Sequence, residues 1–193
     1  AGIWSPAIGK MVGLDIPVEP RQGQILVSER TGQVARRKVV EFGYLMAKFG
    51  SSSYERQVEP DMDNYGVALV FEPTRAGNFL LGSSRQFVGM DISCSRPVLN
   101  CIAKRAMRFF PVIKDISVIR SYAGLRPYVP DHMPIISDSN VPGFYVATGH
   151  EGDGIGLSLI TGKLMSQIIC GEGVEIDTSP LSLSRFKDDK FAH

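Results

Sequence analysis

Two short stretches near the end of the chain carry residue types in an order that suits chemistry. The first, SYAGLRPYVPDHMPIIS, starts at Ser121 and places Arg126 between Leu125 and Pro127. The second, VPGFYVATGHEGDGIGLSLITG, starts at Val141 and ends at Gly162. A guanidinium is a planar fork that matches a carboxylate with two parallel hydrogen bonds. A proline-flanked turn would hold that fork in place before a ligand arrives. In the second stretch a strand-like FYVAT run leads into a glycine-rich turn and then an apolar helix. Gly152, Gly154 and Gly156 let backbone approach a ligand closely. A helix starting near Gly154 carries partial positive charge at its first turn. Together these features describe a carboxylate site beside an electron-rich cofactor edge. Each has a plain structural alternative: Arg126 can pair with one of the 20 acidic residues, and the glycines suit ordinary strand-to-helix packing.

Other side chains near these stretches are candidates of a weaker kind. Tyr122 and Tyr128 flank Arg126 and suit either a pocket wall or core packing. His150 and Asp153 sit in the glycine-rich turn, where His150 reads as a backbone-bonded turn residue rather than a base. The three histidines (His132, His150, His193) and three dispersed cysteines (Cys94, Cys101, Cys170) form no metal-ligand cluster, so no metal site is expected. An odd, unpaired set of cysteines reads as reduced thiols in a cytoplasmic protein.

Strands and helices must position these groups. Gln24–Ser28, Gly66–Phe71, Asn78–Ser83, Ser117–Tyr122 and Gly143–Thr148 read as strands. Pro73 and Gly77 in EPTRAG fit the loop of a hairpin. Ser5-Pro6 reads as an N-cap followed by proline at the first helical position, with Ala1 and Gly2 ending a strand or its turn. Lys38–Phe49 is ambiguous between strand and short helix, and Ser51–Asn64 reads as a loop. Pro97–Phe110 repeats apolar residues at helical spacing, and Pro111 closes it. Gly154–Cys170 is a helix that ends at Gly171. The tail from Glu172 is polar and weakly patterned. Strands in the middle with α/β pieces at both ends give an α+β chain. Residues 15–123 form an antiparallel-sheet domain with a helix packed on it. Residues 1–14 and 124–193 form part of a second, α/β domain.

Composition narrows the function classes. The chain has 193 residues, 44% of them hydrophobic and 21% charged, with a net charge of +1. That balance offers nothing to nucleic acid or to an anionic membrane. The longest apolar runs are far too short for a transmembrane helix.

The motifs GQILVSE, LVFEPTRAGNFLLGSS, YAGLRPYVPDHMPII and GFYVATGHEGDGIGLSLITGKLMSQII, in that order, resemble the FAD-dependent D-amino-acid oxidase superfamily. The branches it most resembles are glycine oxidase, sarcosine oxidase β subunits, and amino-acid or opine dehydrogenase subunits. The resemblance implies a substrate domain joined to the C-terminal portion of a Rossmann-like FAD-binding domain. It implies that Arg126 binds the carboxylate of an amino acid or secondary amine, with Tyr122 and Tyr128 beside it. It places Gly149, His150, Gly152, Asp153, Gly154, Ile155 and Gly156 against the isoalloxazine. Gly2 and Trp4 belong to an opening segment, AGIWSP, that closes on the flavin. The implied reaction oxidises the substrate C–N bond by hydride transfer to flavin N5, with substrate orientation as the main task of the protein. No cysteine matches the one that carries covalent flavin in monomeric sarcosine oxidase, so FAD is expected to be non-covalent.

One departure is large. The family opens on a strand, a GxGxxG turn and a helix that hold the FAD pyrophosphate, and no such turn occurs in the first part of this chain. The chain reads as cut from a longer sequence or as a split product. On its own it is expected to hold FAD weakly and to be inactive. Its expected partners are a polypeptide segment carrying the N-terminal FAD-binding half, in a hetero-oligomer, and the small-molecule substrate. The competing reading is a non-catalytic fragment or subunit that acts as scaffold. A nicotinamide enzyme would need a phosphate-binding GxGxxG that is not seen.

Overall fold

Proline and glycine divide the chain into short elements, and a computed structural model describes residues 1–49 and 59–186 of it. After a 3-10 turn at Gly2–Trp4 come helix α1 (Ser5–Lys10), strand β1 (Glu19–Ser28), strand β2 (Val39–Val40) and helix α2 (Phe42–Phe49). Helix α3 (Pro60–Asn64), strands β3 (Val70–Pro73) and β4 (Phe79–Gly82) and helix α4 (Arg96–Phe109) follow. Strands β5 (Val118–Tyr128), β6 (Ile135–Asp138) and β7 (Tyr145–Thr148) lead to helix α5 (Gly154–Cys170). The chain divides into two compact units, one of residues Arg21–Leu125 and one of Ala1–Pro20 with Arg126–His193.

The first of these units is built on a five-stranded sheet in the order β2-β3-β4-β1-β5. Strands β3 and β4 form an antiparallel hairpin that pairs Phe71 with Leu81 and Pro73 with Phe79. Strand β4 pairs antiparallel with β1, Leu26 opposite Leu81. Helix α4 supplies Val98, Cys101, Ile102 and Ala106 to a core shared with Leu26, Leu69, Phe71, Phe79 and Leu81. Burying side chains such as Val98 and Ile102 contributes about 1.5–3 kcal/mol each. One charged pair lies in this interior. Arg105 Nε donates to Glu41 Oε2 at 3.0 Å, and Arg105 Nη2 donates to Glu41 Oε1. The Leu69 N–H donates to the same carboxylate at 2.8 Å, so its charge is met from two sides.

The second unit has a β6–β7 hairpin in register from Ile135 opposite Thr148 to Asp138 opposite Tyr145. Helix α5 follows it. Ile16, Val18, Val129, Ile135, Val146 and Leu183 form its core. The tail contributes as well. Leu183 is buried, and Arg185 Nε donates to Asp131 Oδ2 at 2.6 Å.

The α+β class holds, and so do the antiparallel sheet with a helix packed on it and the helix ending at Gly171. That last end is a Schellman motif: Gly171 is left-handed, and the Glu172 N–H donates to Gln167 O at 2.8 Å. Several local expectations are corrected. Arg126 lies on strand β5 and not in a turn. Proline is tolerated on an edge strand, and β5 is at the edge of the sheet order. Ser5 is not an N-cap: the cap is Trp4 and makes no side-chain bond. The Gly66–Phe71 strand begins only at Val70, and the preceding Leu69 N–H donates to the Glu41 carboxylate. Residues 60–64 form helix α3 with proline in its first turn, while the first part of that expected loop lies outside the described residues. Strand β6 was not expected at all. Its signal was the apolar pair Ile135-Ile136 after Pro134, too short to count as a pattern.

Candidate functional site

Arg126 and Tyr128 are two residues apart on β5, so they share one face of the strand. Both are half-buried. Tyr122 has the same parity four residues earlier, is 38% exposed, and falls in the other unit. The Tyr128 ring meets His132 edge-on, with ring centroids 5.2 Å apart. His132 Nδ1 in turn lies 2.8 Å from Glu151 Oε1, and Glu151 belongs to the glycine-rich turn. A sequence reading had no reason to join His132 to that turn, because His132 and Glu151 are 19 residues apart and both are polar residues in loops.

The turn is built by close packing. Gly149 has φ +77, and a Cβ there would lie 2.3 Å from Val129 Cγ2, so only glycine fits. The His150 carbonyl accepts from the Asp153 N–H at 2.9 Å. The His150 ring is also engaged, with Nε2 sharing a hydrogen bond with Thr161 Oγ1 at 3.0 Å. Burial holds the His150 imidazole below its ordinary pKa. The ring is therefore neutral near pH 7. A neutral ring bonded to a buried hydroxyl on α5 is a brace between turn and helix.

Helix α5 then begins with open donors. Its N-cap, Asp153, makes no side-chain capping bond. The first helical bond runs from the Leu157 N–H to Asp153 O at 3.0 Å, which leaves the N–H groups of Gly154, Ile155 and Gly156 without a helix acceptor. A Cβ added at Gly152 or Gly156 would meet nothing within 4 Å, and Ile155 is 95% exposed. Such a terminus is open to close approach by an anionic group. Its residues fit the electron-rich edge of a flavin ring.

The opening segment joins the same unit. Ser5 Oγ and Thr148 Oγ1 share a buried hydrogen bond of 2.6 Å across 143 residues. Thr148, the last residue of β7, immediately precedes Gly149. Gly2 has φ +58 with open space where a side chain would be, and Trp4 is 61% exposed. The structure thus brings Gly2, Trp4, Arg126, Tyr128 and the residues from 149 to 156 into one unit. Among the described residues no cluster of histidine, cysteine or acidic side chains could hold a metal. No helix among them is long and apolar enough to cross a membrane.

Known proteins resemble this chain in sequence and in fold. The family model for FAD dependent oxidoreductases (DAO) matches residues 1–168. The hydrogen cyanide synthase subunit HcnC of Pseudomonas protegens is 30% identical over 96% of this chain. The D-amino acid dehydrogenase of Xanthobacter autotrophicus is 27% identical over 97% of it. In each case the chain spans 39% of the relative's length. The crystal structure of glycine oxidase from Geobacillus kaustophilus superposes with a TM-score of 0.76 at 24% identity, covering 96% of this chain and 44% of that one.

Proposed function

The chain belongs to the DAO family of FAD dependent oxidoreductases, and from that premise we propose that it serves the oxidation of a C–N bond in an amine bearing a carboxylate. The observation that carries this reading is the pairing, in one unit, of Arg126 on β5 with the uncapped start of α5. The guanidinium anchors the substrate carboxylate as a bidentate pair. Tyr128, on the same strand face, lines the place where the substrate lies. The open N–H groups of Gly154, Ile155 and Gly156 face developing negative charge, a role suited to fixed donors that need no reorganisation. His150, held neutral and tied to Thr161, keeps the turn in place and moves no proton. When bound, FAD supplies the two-electron acceptor. The substrate then loses a hydrogen with its electron pair from Cα and a proton from nitrogen, and water hydrolyses the resulting imine.

The names of the relatives, an amino acid dehydrogenase and a subunit of a cyanide-forming synthase, support a small amino acid as substrate. They also support assembly with further polypeptide. These 193 residues contain no GxGxxG turn at the start of a βαβ unit, so we assign the FAD pyrophosphate to another stretch of polypeptide. Exposed Ile155 and Leu159 on α5 offer that stretch an apolar seat.

The test is anaerobic mixing of the complete flavoprotein with glycine, sarcosine, D-amino acids and opines in turn. Bleaching of the visible flavin absorbance by at least one of them, abolished at the same concentration by Arg126→Ala, is the expected result. Bleaching that is indifferent to Arg126, or produced equally by amines without a carboxylate, would overturn the assignment.

A further inference from the structure

Away from the residues discussed so far, the unit Arg21–Leu125 contains a cavity of about 440 Å³. It lies between the segment that follows β1 and the turn of the β3–β4 hairpin. Ligand pockets typically occupy about 300–1,000 Å³, so the space suits a small molecule. Its walls are fixed before any ligand arrives. The Thr31 N–H donates to Gly77 O at 2.9 Å, and Arg30 Nε donates to Ala76 O at 2.7 Å. The Thr74 N–H donates to Asn78 O at 2.9 Å, and the Thr74 hydroxyl donates to the Asn78 side-chain oxygen.

The lining divides into two kinds of surface. On one side are half-buried Val34, Ala35 and Pro73, backed by the buried stack of Phe71 and Phe79, whose ring centroids are 4.6 Å apart. On the other are the exposed residues Arg36 and Arg75. No lining residue is acidic. The neighbouring Glu72 carboxylate is taken by Lys38 at 3.1 Å, and neither Arg36 nor Arg75 is paired with a carboxylate among the described residues. Since the Asn78 side-chain oxygen already accepts from Thr74, its amide protons remain as further donors. Two unpaired cations and a donor amide over an apolar floor call for an acceptor-rich charged group on an apolar body. Inorganic phosphate would leave the floor unused, and an extended macromolecular surface would not fit the volume.

We propose that this cavity binds a small organic anion, a carboxylate or phosphate carried on a flat apolar body, at a site built without Arg126. Nothing in the site is arranged for bond breaking, so its role is binding, as a regulatory ligand site or as a second handle on the protein. This inference does not depend on the C–N oxidation proposed above.

The experiment is calorimetric titration of the complete protein with four probes: naphthalene-2-carboxylate, naphthalen-2-yl phosphate, naphthalene-2-methanol and inorganic phosphate. Both naphthyl anions should bind, and the ratio of their affinities identifies the preferred headgroup. The neutral alcohol and inorganic phosphate should each bind at least about tenfold more weakly, because each lacks one half of the recognition. The double variant R36Q/R75Q should lose at least about tenfold in affinity for the anions, while R36K/R75K keeps part of it. The substrate site would itself take a carboxylate through Arg126, so the titrations are repeated in Arg126→Ala, where the binding that depends on Arg36 and Arg75 should persist. Arg36 and Arg75 are exposed, so melting curves of the variants should match wild type and confirm that binding, not folding, has changed. No binding of either anion at millimolar concentration, equal binding of the alcohol, full affinity in R36Q/R75Q, or loss of binding in Arg126→Ala would each overturn the proposal.

Discussion

His132 and Glu151 are bonded to each other at 2.8 Å, and among the described residues they are the two non-glycine positions with left-handed backbone, at φ 60 and φ 47. Left-handed conformation costs a residue with a Cβ roughly 1–2 kcal/mol. The two strained residues hold each other's side chains, and His132 also abuts Tyr128. The pair thus links the strand that carries Arg126 to the turn that opens α5.

Replacing His132 separates the strain from the bond. His132→Ala removes the pair and keeps a Cβ in the left-handed region. His132→Gly removes the pair and relieves the strain. A hydrogen bond to a charged group is worth about 1.5–3 kcal/mol. Melting temperature should therefore fall most for alanine, with glycine between alanine and wild type. Calorimetry showing glycine at or below alanine would mean that the backbone at 132 is unstrained.

Arg126→Ala in the complete enzyme should raise KM for the true substrate at least about 30-fold, because an unpaired desolvated carboxylate costs on the order of 2–5 kcal/mol. Flavin content should change little. Arg126→Lys should recover only part of the loss, since an ammonium cannot reproduce the fork. A change below about threefold in steady-state KM would make Arg126 a structural residue.

Gly154→Val tests the open terminus of α5. A Cβ at this position would lie 3.3 Å from His150 Cβ, so a branched side chain must shift the turn. A terminus interaction of up to about 2 kcal/mol would be weakened. The midpoint potential of bound flavin should then fall by tens of millivolts, about 30 mV corresponding to 1.4 kcal/mol for two electrons. Redox titration at matched FAD content reads this directly. An unchanged potential in a folded variant would make the glycines simple punctuation.

Acid should unmask His150. Its folded-state pKa lies below the ordinary imidazole value because of burial, so the native state prefers the neutral ring. The stabilisation is complete above about pH 6.5, the unfolded value, and is lost as pH falls through the lower folded value. His150→Gln keeps a polar partner for Thr161 without the titration. Its melting temperature should decline less steeply than that of wild type between pH 7 and pH 5. Parallel profiles would show that His150 is not a source of acid lability.

The buried pair of Glu41 and Arg105 should show strong non-additivity. Removing one partner leaves an uncompensated interior charge, which costs about 3–5 kcal/mol. Glu41→Gln or Arg105→Met alone should each cause a large drop in the urea midpoint. The double variant should lose much less than the sum of the two. Additive losses would mean that the two side chains act independently.

The extent to which the sequence foretold this structure follows from the range of the forces involved. Helix α4 was legible because its apolar residues repeat at helical spacing, and the end of α5 because Gly171 supplies a left-handed residue. The hairpin β3–β4 was announced by Pro73 and Gly77. Strand β6 and the buried Leu183 were hidden, because short segments take their burial from distant neighbours. The same limit applies at the site. Arg126 and the glycine-rich turn were visible as residue types at close spacing. Ser5 with Thr148, and His132 with Glu151, are meetings of residues far apart in the chain, and nothing local distinguishes such partners from any other serine or histidine.

The Ser5–Thr148 bond also sets an order of events during synthesis. The unit that it closes is made of two segments, with Arg21–Leu125 lying between them. At roughly 5–20 residues per second, on the order of ten seconds pass between the emergence of Ser5 and that of its partner. Through that interval α1, whose Ser5 and Gly9 are buried in the finished unit, waits without the β6–β7 hairpin. The sheet unit, whose own contacts lie within Arg21–Leu125, is free to fold first. A nascent chain that has emerged through β5 therefore carries a complete sheet while α1 still lacks the partner of Ser5, the state in which a holding chaperone would find it.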